Sequence, residues 1–299
     1  MKSYNEKVRL EFKRGISLFV KREDKLHPEV SGNKFRKLKY NLMRAQESGF
    51  ETLLTFGGAF SNHIAATAAA GKLYGFKTIG VIRGEELADK VMTNPTLSFA
   101  VNQGMKLHFL SREDYARKDT AAVLELLNDV YGEFYLLPEG GSNNWAVKGC
   151  EEILTVEDNR FDFICCASGT GATAAGIINA TNENQTVLVF PALKGSFLSD
   201  DIRKFAKKDN WFLIESYHFG GYGKINVDLV RFLNEFYVKT QIPLDPVYTG
   251  KMMYGVLDLI EKDYFLPNTN ILCIHTGGLQ GVAGMNQWLE KKNMPIINY

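Results

Sequence analysis

Phe161-Asp-Phe-Ile-Cys-Cys-Ala-Ser-Gly-Thr-Gly-Ala-Thr173 runs from an apolar strand through a glycine turn into an Ala/Ile-rich helix. Strand, turn and helix in that order form the repeating unit of a parallel α/β sheet. Two other apolar strands leave the same way, through Gly57-Gly58 and Gly277-Gly278. Ligands of such sheets collect at the carboxyl ends of the strands, so these three turns are where one is expected.

The alternation extends in both directions. Upstream, 52–56, 78–82, 106–110 and 134–137 read as short strands, with helices over 61–73, near 96–102 and over 120–130. They make a parallel unit of about four strands. Pro138-Glu-Gly-Gly-Ser-Asn-Asn144 is a loop cluster and a candidate domain junction. Downstream strands fall at 186–190, 211–214 and 271–274. Near the N-terminus the pattern predicts a strand over 8–12, a turn at Arg14-Gly15 and a strand over 16–20. A helix follows over 35–47, carrying Leu38, Leu42 and Ala45 at helical spacing. The expected architecture is α/β with two domains, a smaller one over 44–145 and a larger one joining 1–43 to 146–299.

Composition narrows the function. A formal charge of +1 over 299 residues argues against a nucleic-acid or anionic-membrane partner. No apolar run approaches the roughly 20 residues of a membrane helix, and residues 1–8 lack a secretory apolar core. Cys150, Cys165, Cys166 and Cys273 suit neither a disulfide framework nor a zinc ribbon, and read as buried residues of a reducing cytoplasm. His27, His63, His108, His218 and His275 show no metal-ligand spacing, so no metal is expected.

Three stretches carry chemistry. In Ser31-Gly-Asn-Lys-Phe-Arg-Lys-Leu-Lys-Tyr40, a helix groups Lys34, Lys37 and Leu38 on one side. A lysine beside other cations is more readily the free amine, as a Schiff-base lysine must be. Alone, the stretch would pass for a solvated basic helix start. Ser168-Gly-Thr-Gly-Ala-Thr173 offers backbone N–H groups and two threonine hydroxyls to a phosphate at a helix start. It is neither a Walker A loop nor a GxGxxG, because Ala174 stands in the third glycine slot. Alone, it serves equally as a ligand-free βα turn. Gly57-Gly-Ala-Phe-Ser-Asn-His63 can hold a carboxylate through Ser61 and neighbouring N–H groups, although a plain helix cap by Ser61 is the commoner use.

Taken together, Asn33-Lys34-x-Arg-Lys37, Ser61-Asn-His63 and Ser168–Thr173 resemble fold-type II pyridoxal-phosphate enzymes with a tryptophan synthase β-like fold, in which parallel twisted sheets carry helices on both faces. The resemblance is nearest to the 1-aminocyclopropane-1-carboxylate deaminase/D-cysteine desulfhydrase family. Pro138-Glu-Gly-Gly-Ser142, Asp245-Pro-Val-Tyr-Thr-Gly-Lys251 and His275-Thr-Gly-Gly278 strengthen it, so that it covers nearly the whole chain. It implies a pyridoxal 5′-phosphate cofactor on Lys34, with Lys37 and the backbone of Gly169, Thr170, Gly171, Ala172 and Thr173 at its phosphate. Asn62 would meet the ring hydroxyl, with Thr249 facing the ring nitrogen and Thr276, after His275, also at the cofactor. Ser61, Asn62, His63 and Ser142 would receive the substrate, and Ser61, Tyr222 and Tyr248 would assist Lys34 in catalysis. The family also implies a homodimer.

A carboxylate at the ring nitrogen keeps it protonated and makes a strong electron sink, which cyclopropane opening requires. Thr249 offers a hydroxyl instead, and Thr276 stands after His275 where the deaminases have leucine, so the resemblance implies α,β-elimination from a small amino acid, D-cysteine first, with the deaminase reaction as the alternative. A binding protein without turnover is a further alternative, disfavoured because Lys34, Ser61, Asn62 and both tyrosines are present. A nicotinamide dehydrogenase is disfavoured because Val187 to Lys194 contains no acidic residue for a ribose. Departures from the family pattern lie at Trp145 and Lys148, expected near the substrate, and at Leu279-Gln-Gly281.

Overall fold

The computed structural model describes residues 2–195 and 197–299. The chain begins with β1 (Asn5–Lys7) and β2 (Ser17–Lys21), then enters α1 (Asn33–Glu47). Next come β3 (Thr52–Gly57), α2 (Asn62–Tyr74), β4 (Lys77–Arg83), α3 (Pro95–Asn102) and β5 (Lys106–Leu110). The short α4 (Arg112–Ala116), α5 (Ala121–Tyr131) and β6 (Tyr135–Leu137) complete this part. Helix α6 (Asn144–Glu151) leads to β7 (Phe163–Ser168), α7 (Ala172–Ala180), β8 (Thr186–Pro191), α8 (Phe197–Arg203) and β9 (Trp211–Leu213). The chain then forms α9 (Val227–Thr240), α10 (Thr249–Glu261), β10 (Asn270–Ile274) and α11 (Gly281–Lys291).

Two sheets result. Four strands in the order β5-β4-β3-β6 are all parallel. Six strands in the order β1-β2-β10-β7-β8-β9 are parallel except for the antiparallel β1-β2 pair. Helices cover both faces of each, which is why the central strands read as continuous apolar runs. Cys165 packs with Leu229 of α9 and Val256 of α10 on one face of the larger sheet. Its neighbour Cys166 turns to the other face, with Ile177 of α7 and Ile202 of α8. Leu53 and Leu54 divide the smaller sheet in the same way. Both are fully buried, each contributing roughly 1.5–3 kcal/mol of transfer free energy.

The N-terminal hairpin differs from the expectation. Strand β1 comprises the polar Asn5–Lys7, and residues 8–12 do not pair as a strand. Leu10 and Phe12 still pack on the core, but the backbone leaves the sheet for a 3-10 turn with Arg14 and Gly15 at positive φ. Apolar alternation located the packing and missed the pairing, because β1 is an edge strand whose polar groups find partners of their own. Glu6 pairs with Arg22 at 2.5 Å, and Asn5 donates to Asp158 at 2.7 Å.

Three helices stack to set the geometry of the ligand face. Helix α1 lies on α6, and α6 on α7. Gly149 permits the first contact, since a Cβ there would stand 2.0 Å from the Arg36 carbonyl oxygen. Gly149→Ala must push α1 away from α6, and overpacking of this kind costs about 1–3 kcal/mol. The expected outcome is a lowered denaturant midpoint, measured by circular dichroism; an unchanged midpoint would refute the close contact.

Candidate active site

Lys34 is delivered to the carboxyl end of the larger sheet by Gly32. A Cβ on Gly32, which has φ +61°, would stand 2.0 Å from the Thr276 carbonyl oxygen, so backbone crosses backbone beyond the end of β10. The Asn33 N–H donates to that same oxygen at 3.1 Å. Helix α1 begins there, and the Asn33 amide reaches both ways. Its Nδ2 donates to Thr173 Oγ1 at 2.9 Å, and its Oδ1 accepts from Lys34 Nζ at 3.2 Å. One turn on, Lys37 Nζ donates to the Gly140 carbonyl at 2.8 Å and lies 3.3 Å from Ser142 Oγ and 3.4 Å from Thr170 Oγ1. Both lysines line a narrow cavity between the two sheets, open to solvent at its mouth.

The ammonium ends meet no carboxylate among the described lining residues. Burial, and then the charge of Lys37, bring Lys34 down from 10.5 to about 7. Burial brings Lys37 down to about 8. The cation–cation effect read from the sequence is therefore present but second to desolvation. Lys34 is poised as an amine near neutrality, while Lys37 stays mostly charged.

The other walls are strand ends and helix starts. Ser61 caps α2, its Oγ accepting from the Ile64 N–H at 3.3 Å, which leaves the hydroxyl proton free for the cavity it lines. His63 is buried against Gly141, and neither ring nitrogen has a hydrogen-bond partner. Burial and then the two lysines push its pKa well below 6.5, so it is neutral. Gly169 to Gly171 form the turn from β7 into α7. The rings of Tyr222 and Tyr248 meet edge to face at 6.1 Å, and burial raises both phenols, keeping them protonated donors. Asp245 accepts the N–H groups of Val247, Tyr248 and Thr249 and so orients Tyr248. His275 holds the Thr276–Gly278 turn: its Nε2 bonds the Pro243 carbonyl at 2.6 Å, while its Nδ1 accepts from the Gly277 N–H at 3.2 Å.

A family model described as pyridoxal-phosphate dependent enzyme matches residues 6–277. The chain belongs to that family. It is 31% identical over 290 residues to a putative 1-aminocyclopropane-1-carboxylate deaminase of Pyrococcus horikoshii, covering 89% of this chain and 86% of the relative. It is also 31% identical over 297 residues to the bifunctional D-cysteine desulfhydrase/1-aminocyclopropane-1-carboxylate deaminase of Arabidopsis thaliana, covering 90% and 74%. The crystal structure of an ACC deaminase homologue superposes with a TM-score of 0.82 at 26% identity, over 97% of this chain and 94% of that one. The chain is thus a fold-type II pyridoxal-phosphate lyase of the deaminase/desulfhydrase family, as the motifs implied. Its cofactor is pyridoxal 5′-phosphate. The residues present fit that group: an amine near its neutral form, a second buried cation, a glycine cup at a helix start and an imidazole lacking any partner.

Most of the expected residues meet at this cavity. Lys34, Lys37, Ser61, Asn62, His63, Gly169, Thr170, Gly171, Thr173, Tyr222, Tyr248 and Thr276 all line it. Three do not. Thr249 is fully buried in the first turn of α10, its hydroxyl donating to Asp245 at 3.1 Å and accepting from the Asp245 N–H at 2.9 Å. It is part of the helix start and not of the wall. The Ala172 N–H is taken by the Thr170 carbonyl at 3.0 Å. Ser142 is not among the lining residues, but its hydroxyl touches two of them, 2.6 Å from Thr170 Oγ1 and 3.3 Å from Lys37 Nζ. Trp145 and Lys148 lie away from the cavity too, stacked with Arg44 and Tyr40 where α6 meets α1. Among the described residues, no group of three or more His, Cys, Asp or Glu is placed to hold a metal ion.

The sequence reading passed over Gln280, although it singled out the unusual segment that contains it. Gln280 lines the cavity and donates to Asn62 Oδ1 at 2.8 Å, joining the starts of α11 and α2 across the two sheets. Asn33, directly before the lysine, had its signal in the motif but no role.

Lys34 and Lys37 both titrate below a free lysine, so the unfolded chain binds more protons between about pH 7 and 10.5. The cofactor-free protein should accordingly gain stability as pH rises through that window, by less in Lys34→Met. Lys37→Gln should raise the Lys34 pKa yet leave it below 10.5, because burial is the larger cause. Carbon-13 NMR of labelled lysines reads this directly, and an unmoved Lys34 would refute the coupling.

Proposed function

We propose that the protein eliminates a thiol from Cβ of a small amino acid, D-cysteine first, giving pyruvate, sulfide and ammonia. The observation that carries this reading is a cavity wall that has threonines and tyrosines but no carboxylate among its described residues. When bound, the cofactor supplies an electron sink whose strength depends on protonation of its ring nitrogen. A threonine hydroxyl cannot keep that nitrogen protonated, and the weaker sink suits a leaving group as good as a thiol. Thr249, which the resemblance sets at the ring nitrogen, lies outside the described wall, so this argument rests on the wall's lack of a carboxylate among its described residues.

The other roles follow from the chemistry of each group. Lys34, close to half deprotonated at pH 7, takes up the cofactor and later receives the Cα proton. Lys37 and the N–H groups of the Gly169–Gly171 turn hold the phosphate. The free Ser61 proton and the N–H groups at the start of α2 hold the substrate carboxylate. The neutral phenols of Tyr222 and Tyr248 are positioned to donate near the reacting carbons. The Cβ–S bond breaks with its electron pair leaving on sulfur, and the unsaturated amino acid left behind hydrolyses to pyruvate and ammonia.

The deaminase reaction is the second reading, favoured by the names of the relatives. We further propose a two-domain division at 44–145, supported by the separate sheets on either side of the cavity, with α1 bridging them. A cytoplasmic homodimer remains part of the proposal. Among the described residues, no helix is long and apolar enough to cross a membrane.

Pyruvate and sulfide from D-cysteine, with little ammonia from 1-aminocyclopropane-1-carboxylate, are the expected assay results. The opposite preference would overturn the elimination reading. Lys34→Ala should lose more than about 100-fold in kcat/KM, consistent with loss of a positioned acid–base group.

A further inference from the structure

Lys251 is a buried cation that no role above uses. It is 2% exposed and makes no ion pair among the described residues. Its Nζ donates to two backbone carbonyls, His218 at 2.9 Å and Gly221 at 2.8 Å. These carbonyls belong to the segment that brings Tyr222 to the cavity mouth. That segment is held in an uncommon shape, with Phe219, Gly220, Gly221 and Gly223 at φ +53°, +91°, +118° and +67°. A non-glycine residue at positive φ is costly, and such a conformation persists only where its surroundings over-determine it.

The surroundings here are α10. Tyr217 lies against Gly255, where a Cβ would stand 2.7 Å from its ring, and its hydroxyl donates to Asp258 at 2.6 Å. Lys251 supplies the next hold, one turn nearer the cavity. Tyr248, whose ring meets Tyr222, stands three residues before Lys251, so both face the same segment. The start of α10 thus grips the segment twice, by ring contact with Tyr222 and by two hydrogen bonds to the backbone before it. Burial brings Lys251 down to about 8, the cost of enclosing an ammonium with only carbonyl partners. A methionine would fill the same volume without that cost, yet it could not bridge two carbonyls.

We propose that Lys251 is a positioning residue for the reaction: it pins the 218–221 backbone and thereby holds Tyr222 over the cavity. This rests on the reading of Tyr222 as a group that serves the chemistry, but the pinning itself can be measured without turnover. The holoenzyme is prepared as wild type, Lys251→Met, Lys251→Arg, Tyr222→Phe and the Lys251→Met/Tyr222→Phe double variant. Hydrogen exchange of peptides covering 215–224 reads the pinning, and kcat against KM for D-cysteine reads its consequence.

Exchange in that segment should rise at least about tenfold in Lys251→Met, less in Lys251→Arg, and not in Tyr222→Phe. Cofactor affinity, titrated by absorption, should stay within about twofold, because Lys34 and Lys37 are untouched. Lys251→Met should lower kcat to about the level of Tyr222→Phe, and the double variant should be no worse than the poorer single one. Unchanged exchange in a folded Lys251→Met would overturn the pinning. Raised exchange with multiplicative losses in the double variant would overturn the action through Tyr222. If D-cysteine is not turned over by wild type, the substrate reading fails while the exchange result still decides the pinning. Should Lys251→Met not fold, Lys251→Gln, which keeps a donor for one carbonyl, replaces it with an intermediate rise expected; no rise would again refute the pinning.

Discussion

Two lysine ammonium groups enclosed in one cavity, without a carboxylate among its described walls, are the constraint around which this structure is arranged. Enclosing a cation away from water is costly unless it is paired or loses its proton. The fold applies both remedies in part. Lys37 keeps most of its charge by facing three neutral oxygens, while Lys34 is about half free amine at neutral pH. What remains is a site of positive potential lined with N–H and O–H donors. A phosphorylated aldehyde suits such a site, since it carries both a dianion and an electrophilic carbonyl.

That arrangement exists only because two sheets meet, and the contacts that join them are small. Gly32 lies on the backbone of Thr276, Asn33 links Lys34 to Thr173, and Lys37 links the 140–142 turn to Thr170. The lysine helix therefore belongs energetically to both sheets. Its apolar face, Leu38 and Leu42, packs on the smaller one, while its first residues hydrogen-bond to the strand ends of the larger. Any relative movement of the sheets would reach Lys34 directly.

The supporting shell repeats one device: a buried polar group that organises backbone rather than ligand. Asp245 gathers three N–H groups beneath Tyr248, His275 braces the Thr276–Gly278 turn, and Lys251 collects two carbonyls beneath Tyr222. Each fixes a cavity-facing residue through the main chain. Groups so held lose little freedom when a ligand arrives, which is the physical content of preorganisation.

The sequence by itself determined the parallel α/β class, the strands from β2 onward, the helices α1, α2, α3, α5 and α7, and the meeting of Lys34 with the Gly169–Gly171 turn, while α9 and α10 went unread. These elements are local properties, since apolar runs, glycine turns and helical spacing act over a few residues, and motifs in the family's order added the cofactor. It did not determine the edge strand β1, because a polar strand paired through its side chains leaves no apolar pattern. Nor did it separate residues that line the cavity from residues that support it. Thr249 and Thr276 are equally good hydroxyls in a sequence, but only the tertiary structure spends one on Asp245 and leaves the other open. Likewise Trp145 follows the glycine pair of its motif and yet stacks with Arg44 at the α1–α6 contact, whereas Gln280, marked only as a departure, reaches the cavity. Where a side chain ends up is set by how the segments pack, as where Gln280 meets Asn62 218 residues away, and no local pattern carries that information.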